Sequence, residues 1–264
     1  MTPDKEEIFS EKETLSSNSI FHFAQKREYL ISILENDFAP RYYLENLKML
    51  GFTKRDETRM EVAVPMVCFC NIPLSKIKYH LSCYGNYGIG MTKEWGIKNG
   101  VSPILYADPK SETITHLKEM LKTTRLKTNQ DTPAVVSLGI NIVRLIRFIK
   151  PYEGDFEHRD KKYPNKRFYD EREWRYVPMD AVPAFLSKEE HGDKGRLLEC
   201  NLKLKENHKI HFTPNDVEYI IVNTRAEVLP MINDLLRIKS KYTQDEMMLL
   251  ISKIISRDKI TNDF

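Results

Sequence analysis

Two glutamates, Glu171 and Glu173, stand two residues apart in a stretch, 168–177, where charged side chains alternate with aromatic and apolar ones. Side chains two apart on a β-strand point to the same face, so the pattern predicts one strand with both carboxylates on one side. The opposite side of that strand is predicted to carry Arg172, Trp174 and Tyr176. Such a pair can stabilise a developing positive charge or orient a sugar hydroxyl. The alternative is a solvated strand face whose carboxylates pair with Arg167, Arg172 or Arg175.

A single histidine, His22, lies inside the short apolar run of residues 19–23, which we interpret as the first strand. Two interpretations of this residue stay open. It can be a core histidine satisfied by one hydrogen bond, or it can face a ligand.

Residues 84–91 combine three glycines with Tyr84 and Tyr87. The spacing fits neither the dinucleotide fingerprint nor a phosphate-binding loop. The segment predicts a turn followed by a strand. It is either a tight turn alone, or a backbone that a ligand approaches closely while a tyrosine stacks on it.

Residues 150–166 are predicted to form a long charged loop. Its basic and aromatic side chains are typical of a solvated loop, and also of a segment that follows single-stranded nucleic acid. Glu171, Glu173 and His158 also suggest the hypothesis of a metal-dependent nuclease. The sequence offers no further carboxylates that would converge on a metal, so no metal site is predicted.

The order of the elements predicts an α+β fold, because strands and helices mix without a regular βαβ alternation. Besides residues 19–23 and 168–177, the pattern predicts strands at 62–70, 87–91, 102–107, 196–204 and 217–222. It predicts helices at 26–35, 42–50, 75–83, 93–99, 114–126, 135–148 and 227–238, and a last helix that opens at the capping box beginning with Thr243.

The composition is that of a soluble globular protein, with 41% hydrophobic and 30% charged residues among 264. The net charge of +3 permits a nucleic-acid partner without requiring one. The four cysteines lack zinc-site spacing and are interpreted as free thiols in a reducing compartment. The acidic N-terminus has no apolar signal core, and no apolar run reaches the roughly 20 residues of a membrane span. We therefore predict a cytoplasmic protein without a membrane partner.

Three segments, 20–23 with 40–42, 84–91 and 171–173, resemble in the same order the ADP-ribosyltransferases of the His-Tyr-Glu type, and the DarT-like toxins in particular. The resemblance implies an ADP-ribosyltransferase-like split β-sheet core with surrounding helices. The ADP-ribosyltransferase-like domain would occupy 19–238. It would follow a polar and charged N-terminal stretch at 1–18, interpreted as an arm or a short helix, and precede a C-terminal helix at 239–264.

The same resemblance implies that NAD is the substrate. In that family a strand histidine, here His22, holds the nicotinamide-side ribose, and a tyrosine packs on the nicotinamide ring. That tyrosine is Tyr87 or, as a rival, Tyr84. The family's strand glutamate stabilises the oxocarbenium-like transition state, a role that falls to Glu173, with Glu171 positioning the acceptor.

Two further residues enter through this resemblance. Phe23 stands where the family usually has a small residue after the histidine, beside the bound NAD. Arg41 matches the loop arginine that binds NAD phosphates in DarT-like enzymes, and Arg27 is its rival.

Over roughly residues 18–235 the chain also resembles the AbiGi family, which is linked to abortive phage infection and includes members labelled antitoxins. Four motifs carry this resemblance, at 68–74, 84–91, 150–154 and 168–178. The two resemblances together imply an NAD-dependent toxin of a phage-defence system that modifies RNA or DNA. Its partners would be a cognate antitoxin, with or without a chaperone, and a docking surface would lie at Met247 and Met248. The alternative is a non-catalytic antitoxin or binding module.

Overall fold

The structure is a computed structural model that describes residues 16–51, 61–125, 132–158, 161–238 and 241–263. The strands are β1 (Ser19–Ala24), β2 (Arg41–Asn46), β3 (Glu61–Cys70), β4 (Tyr87–Thr92), β5 (Ser102–Pro103), β6 (Leu105–Ala107), β7 (Ile149–Pro151), β8 (Glu153–His158), β9 (Lys161–Arg167), β10 (Glu173–Tyr176), β11 (Leu186–Ser187), β12 (Val217–Val222) and β13 (Ile254–Ser256). The helices are α1 (Arg27–Asn36), α2 (Lys78–Tyr84), α3 (Lys93–Lys98), α4 (Glu112–Arg125), α5 (Pro133–Ile146), α6 (Lys188–Gly192), α7 (Lys194–Asn207), α8 (Val228–Arg237), α9 (Gln244–Ser252) and α10 (Arg257–Asp263).

One mixed sheet of nine strands organises the chain. Its main path runs β13-β12-β4-β1-β3-β10-β5, and β2 and β11 pair with other parts of the long strand β3. β12 and β13 are parallel, whereas the other neighbours in this sheet are antiparallel. Two small sheets, β6-β7 and β8-β9, stand apart from it. The structure is thus of mixed α and β composition, with β1 at the middle of the main path.

The register of the sheet fixes which residues share a face, because directly paired residues point to the same side. We call the side that carries Ile20 face A and the side that carries Phe21 face B. Phe21 pairs with Cys70 of β3 and with Gly90 of β4, so these positions belong to face B. Phe69, next to Cys70, therefore belongs to face A.

Both faces of the sheet are covered by helices. On face A, apolar side chains of α1, α3, α8 and α9 form the largest core cluster with those of the sheet. On face B, Leu81 of α2 and Ile260 of α10 pack against Phe21, Cys70 and Ile221. The sheet is therefore a buried middle layer, and its two faces are separate environments.

The glycines of β4 let aromatic rings pack on face B. A Cβ atom at Gly90 would lie 2.8 Å from the Phe21 ring and 2.9 Å from the Tyr219 ring. Those two rings stack with centroids 5.7 Å apart. The glycine of this segment is thus explained by packing, since any side chain would push the rings apart.

Two predicted elements have the wrong type. Residues 42–50, predicted as a helix, form β2 and a short 3-10 turn, Lys48–Leu50, that ends at Gly51 in the left-handed region. Residues 196–204, predicted as a strand, lie inside helix α7. The helix buries Cys200 and Leu204, four residues apart, against Tyr42. A separation of four residues places both side chains on one face of a helix. The alternation of polar and apolar residues in this segment favoured the strand prediction instead.

Two other segments are more ordered than predicted. The charged stretch 150–166 was predicted as a loop but contains the end of β7 and most of the hairpin β8-β9. The predicted C-terminal helix 239–264 is divided into α9, β13 and α10, and β13 pairs with β12. The edge pairing ties this segment to the main sheet. The predicted N-terminal arm lies outside the described residues except for 16–18.

In the part of the chain that the structure describes, no helix combines the length and the apolar character needed to cross a membrane.

Candidate functional site

The two glutamates of the predicted strand sit on different backbone elements. Phe168–Glu171 forms a 3-10 turn, Arg172 follows with φ of 44° in the left-handed region, and β10 begins only at Glu173. The strand predicted over 168–177 is therefore limited to its second half. Because the turn folds back toward the strand, the two carboxylates still come together.

Lys150, at the centre of β7, joins the two carboxylates. Its Nζ atom lies 2.8 Å from Oε2 of Glu171 and 2.9 Å from Oε2 of Glu173. All three side chains are at least 87% shielded from solvent, since their exposed fractions are 13%, 6% and 8%. The convergence of Glu171 and Glu173 that the sequence predicted is thus present, but a buried lysine occupies the space between them.

Each glutamate has further cationic partners. The guanidinium of Arg175 donates to both oxygens of Glu173, and its Nη2 atom also lies 2.9 Å from Oε1 of Glu45. Lys166 of β9 lies 2.6 Å from Oε1 of Glu171. We call these six residues the ion-pair network: Glu45, Glu171, Glu173, Lys150, Lys166 and Arg175. It holds three carboxylates and three cations, so its formal charge is zero.

The network keeps both glutamates ionised despite their burial. Burial opposes the charged form of Glu173, but Arg175 and Lys150 outweigh it, so the pKa of this carboxyl lies well below its usual range. For Glu171, burial and the charge of Glu173 raise the pKa, yet Lys150 and Lys166 bring the net shift downward. Neither carboxyl is therefore prepared to donate a proton near neutral pH.

Aromatic groups close the network on two sides. The hydroxyl of Tyr84 donates to Glu171 and accepts a hydrogen bond from Lys166 at 2.8 Å. Burial, followed by the charge of Glu171, raises the pKa of Tyr84 well above its usual value. On the other side, the hydroxyl of Tyr106 accepts a hydrogen bond of 2.9 Å from the backbone N–H of Glu173. Lys166 lies 4.2 Å from the centre of the Phe156 ring, which anchors the β8-β9 hairpin.

His22 is a neutral histidine of face A. Its Nδ1 atom lies 2.8 Å from the carbonyl oxygen of Cys68, and since a carbonyl only accepts, Nδ1 carries the proton. Burial lowers the pKa of the ring, and the bond to Cys68 opposes that shift only in part. The ring meets Phe38 and Phe69 edge-on, with centroids 5.5 Å and 5.8 Å away. These contacts are those of a core histidine satisfied by one hydrogen bond.

The two candidate tyrosines occupy different faces. Tyr87 pairs with Ala24 in the β1-β4 register and so shares face A with His22. Its pKa is raised, first by burial and then by a hydrogen bond to Glu227. Tyr84 lies against the ion-pair network, where its hydroxyl bonds Glu171 and Lys166. Phe23 points to face B, where its ring centroid lies 6.4 Å from that of His80.

The structure does not bring the predicted set of catalytic residues into one cleft. Glu173 pairs with Cys70 and is on face B, whereas His22 and Tyr87 are on face A. The sheet itself lies between them. The predicted arrangement, in which His22, Tyr87 and Glu173 surround one NAD molecule, is therefore corrected by the strand register, which aims the histidine and the glutamate in opposite directions.

The two candidate phosphate-binding arginines lie on different elements. Arg41 is exposed at the start of β2 and pairs with Met66 of β3, two residues before the Cys68 whose carbonyl oxygen bonds His22. Arg27 forms an ion pair with Asp234 and donates a hydrogen bond of 2.8 Å to the carbonyl oxygen of Pro230. Arg27 thus ties α1 to α8.

Of the two methionines predicted to form a docking surface, one belongs to the hydrophobic core. Met247 is buried against face A, and only Met248 is exposed, at 53%.

Of the cations in the network, the sequence pointed to Arg175 as a possible partner of the glutamates but gave no indication of Lys150 and Lys166. Both lysines belong to the segment predicted as a charged loop, and a charge run does not reveal that single lysines in it are buried. His80 was also missed. It is 3% exposed, burial lowers its pKa to about 4, and neither ring nitrogen has a hydrogen-bond partner among the described residues.

Among the side chains that the structure describes, no three His, Cys, Asp or Glu residues converge as metal ligands. The side chain of His158, which the nuclease hypothesis requires, lies outside them. Glu171 and Glu173 already have two cationic partners each.

Fold and site together define a helix-covered mixed sheet with a buried, electrically neutral cluster that joins β10 and β2 to the small strands β7 and β9. A family model described as "Putative abortive phage resistance protein AbiGi, antitoxin" matches residues 36–223. A curated relative from Lactococcus lactis subsp. cremoris, described as "Abortive phage resistance protein AbiGi", is 30% identical over 247 residues, which covers 86% of this chain and 99% of the relative. No solved structure is significantly similar to the chain.

The chain belongs to the AbiGi family of abortive phage resistance proteins. The matched region includes β2 to β12 and so contains the whole ion-pair network.

Proposed function

We propose that this protein is the antitoxin of an abortive infection system, a non-catalytic component that restrains a toxin by binding it. The observation that carries the proposal is the state of Glu173, the residue that an ADP-ribosyltransferase would need. Its carboxylate is 8% exposed, is held by Arg175 and Lys150, and lies on the opposite side of the sheet from His22 and Tyr87.

A catalytic carboxylate must reach its substrate. To contact a sugar, Glu173 would first have to leave two buried cations, and breaking a buried pair costs about 3–5 kcal/mol. The network is better explained as a structural device, since it fastens β7 and β9 of the two small sheets to β10 and β2 of the main sheet. The description of the matching family as an antitoxin supports the same function.

The decisive experiment is co-expression. Each protein encoded next to the gene is expressed alone, and the one that arrests growth is the toxin. Expression of this protein alone should leave growth unaffected, and its co-expression with the toxin should restore growth. The proposal fails if this protein arrests growth by itself or if it does not rescue any toxin encoded beside it.

The NAD-dependent transfer of ADP-ribose to RNA or DNA stays a prediction, and a separate assay decides it. The purified protein is incubated with labelled NAD and cellular RNA, DNA or protein. An antitoxin without catalytic activity transfers no label. Transfer that disappears in Glu173→Gln, a variant that keeps the side chain's size, would instead favour the toxin hypothesis.

A further inference from the structure

Two arginines among the described side chains are almost completely buried, and their surroundings differ in charge. Arg147 and Arg175 are each 1% exposed. Arg175 has the carboxylates of Glu173 and Glu45 as partners. Arg147, in contrast, forms no ion pair with any residue that the structure describes. An arginine is rarely buried to this degree without an anion, because desolvation of an unpaired charge is costly.

The unsatisfied nitrogens of Arg147 lie next to each other on its guanidinium. Nη1 donates to the carbonyl oxygen of Pro178 at 3.1 Å. Nε has no hydrogen-bond partner, and Nη2 has only the thioether sulfur of Met179 at 3.4 Å, which is a weak acceptor. Nε and Nη2 together form an edge that donates two parallel hydrogen bonds to two oxygens of a carboxylate or a phosphate. The available donors therefore match an oxyanion.

The position of Arg147 in the fold explains its charge only in part. The residue follows the last turn of α5, where the helix dipole favours a cation. Burial lowers the pKa of Arg147, and the like charge of Arg144 adds to this shift. Arginine nevertheless stays protonated in proteins, so the charge persists. The dipole supplies no acceptor for Nε, and a water molecule would satisfy its hydrogen bond without balancing the charge.

The side chain beside this edge is able to move. Met179 lies in the segment 177–185 between β10 and β11 and is 45% exposed, whereas Val177 and Ala181 on either side of it are buried. The segment is thus anchored at two points, with the methionine at the surface between them. Methionine has three rotatable bonds and adapts readily to its surroundings. A change of rotamer at Met179 therefore opens a path to Nε and Nη2 without unfolding the segment.

We infer that Arg147 is the anchor of a binding site for a small oxyanion, a phosphoryl group or a carboxylate, which accepts hydrogen bonds from Nε and Nη2 and for which Met179 forms the cover. The observed affinity then depends on how often the cover is open, since a site that is open for only part of the time binds more weakly by that fraction. The inference is independent of the antitoxin function, because the purified protein tests it without a toxin.

The first experiment locates the anion. The purified protein is titrated with inorganic phosphate and, separately, with acetate, each compared with chloride at equal ionic strength. The readout is the Nε–H signal of Arg147 in the side-chain NMR spectrum, assigned by its loss in Arg147→Lys. The signal should shift and saturate. Stronger binding of phosphate identifies a phosphoryl group as the ligand, and stronger binding of acetate identifies a carboxylate. The absence of a saturable shift with both anions overturns the inference.

The second experiment tests the roles of the two residues through the anion dependence of the melting temperature, which gives a Kd for each variant. Arg147→Lys keeps the charge but loses the paired donors, so the Kd should rise by about tenfold or more. Met179→Ala removes the cover and should lower the Kd. The matched control is Met248→Ala, since Met248 is 53% exposed on α9, and this change should leave the Kd unaltered.

Two results would contradict these roles. Arg147→Lys that binds the anion as tightly as the parent removes Arg147 as the anchor. Met179→Ala that binds no more tightly than the parent or Met248→Ala removes Met179 as the cover. The substitution at the exposed Met179 also keeps the test decisive if Arg147→Lys does not fold.

Discussion

Arg175 lies two residues beyond Glu173 on β10, and its guanidinium donates hydrogen bonds to both oxygens of that carboxylate. The same guanidinium donates a 3.0 Å bond to the carbonyl oxygen of Arg147 and reaches Glu45 on β2. One side chain therefore links β10 to two other parts of the fold. Arg175 is 1% exposed, so water cannot replace an acceptor that is removed. The arrangement therefore depends on every acceptor staying in place.

Removal of Glu173 should destabilise the protein strongly. Glu173→Ala leaves Arg175 and Lys150 short of a partner inside the fold, and breaking a buried pair in this way costs about 3–5 kcal/mol. Urea unfolding followed by circular dichroism measures the loss. The matched control is Asp170→Ala, three residues earlier, whose carboxylate is 62% exposed and 4.0 Å from Arg167. That change should cost under about 1 kcal/mol. Equal effects of the two substitutions would contradict the structural role of the network.

Acid should weaken the fold through the same glutamates. The pKa of each carboxyl is lowered from an ordinary value of 4.5, so the unfolded chain binds protons before the folded one does. The stabilisation is therefore complete above the unfolded pKa and is lost as the pH falls toward the folded values. The free energy of unfolding should therefore begin to decline below about pH 5 and should continue to fall with further acidification. Glu173→Gln should start lower at neutral pH and decline less steeply, and an unchanged slope would assign the acid sensitivity to other groups.

His22 should be replaceable without loss of function. His22→Phe keeps an aromatic ring against Phe38 and Phe69 but leaves the carbonyl oxygen of Cys68 without its 2.8 Å partner. A buried acceptor without a partner costs about 1–3 kcal/mol, which urea unfolding will show. Rescue of growth from the toxin should persist. A variant that is well folded but no longer rescues would assign His22 a direct role.

Gly90 should not accept even a methyl group. The Cβ atom of Gly90→Ala would lie within 3.0 Å of two aromatic rings, and overpacking of this kind costs about 1–3 kcal/mol. Thermal unfolding gives the readout. Gly192→Ala, near the end of α6, is the control because nothing lies within 4 Å of its added Cβ. Its melting temperature should equal that of the parent or exceed it, and a similar fall in both variants would contradict the packing explanation.

Prediction from sequence was most successful where burial on both sides leaves a continuous apolar run. β1 and β12 were predicted close to their observed bounds for this reason. The helices α1 and α8 were also predicted closely, because their apolar residues recur at helical spacing. It failed for β8 and β9, whose charges resembled a loop. In the hairpin Glu153 pairs with Arg167, and Phe156 packs on Tyr163 at 5.9 Å. Cross-strand partners of this kind stabilise a strand pair, but a single sequence does not reveal which residues will be opposite.

The candidate site was predicted in part. Glu171 and Glu173 converge as predicted, but for another reason than strand spacing, because Glu171 lies on the 3-10 turn before β10. The opposite orientation of Trp174 and Tyr176 followed from strand alternation. Whether the glutamates lie on the same face of the sheet as His22 depends on how β1, β3 and β10 are aligned. A shift of one residue in that alignment would move Glu173 to the other face. Long-range register is set by tertiary packing, and the three matching segments contained no information about it.

The parallel pairing of β13 with β12 has a consequence for synthesis of the protein. Ile254 aligns with Ile220, so the edge of the sheet is made by residues that leave the ribosome more than thirty positions after their neighbours. Until then, the outer edge of β12 offers unpaired backbone groups to any other extended chain. β13 covers that edge and is itself the outermost strand of the sheet on this side. A truncation before residue 254 would therefore leave the outer edge of β12 unpaired, and exposed edges of this kind favour aggregation.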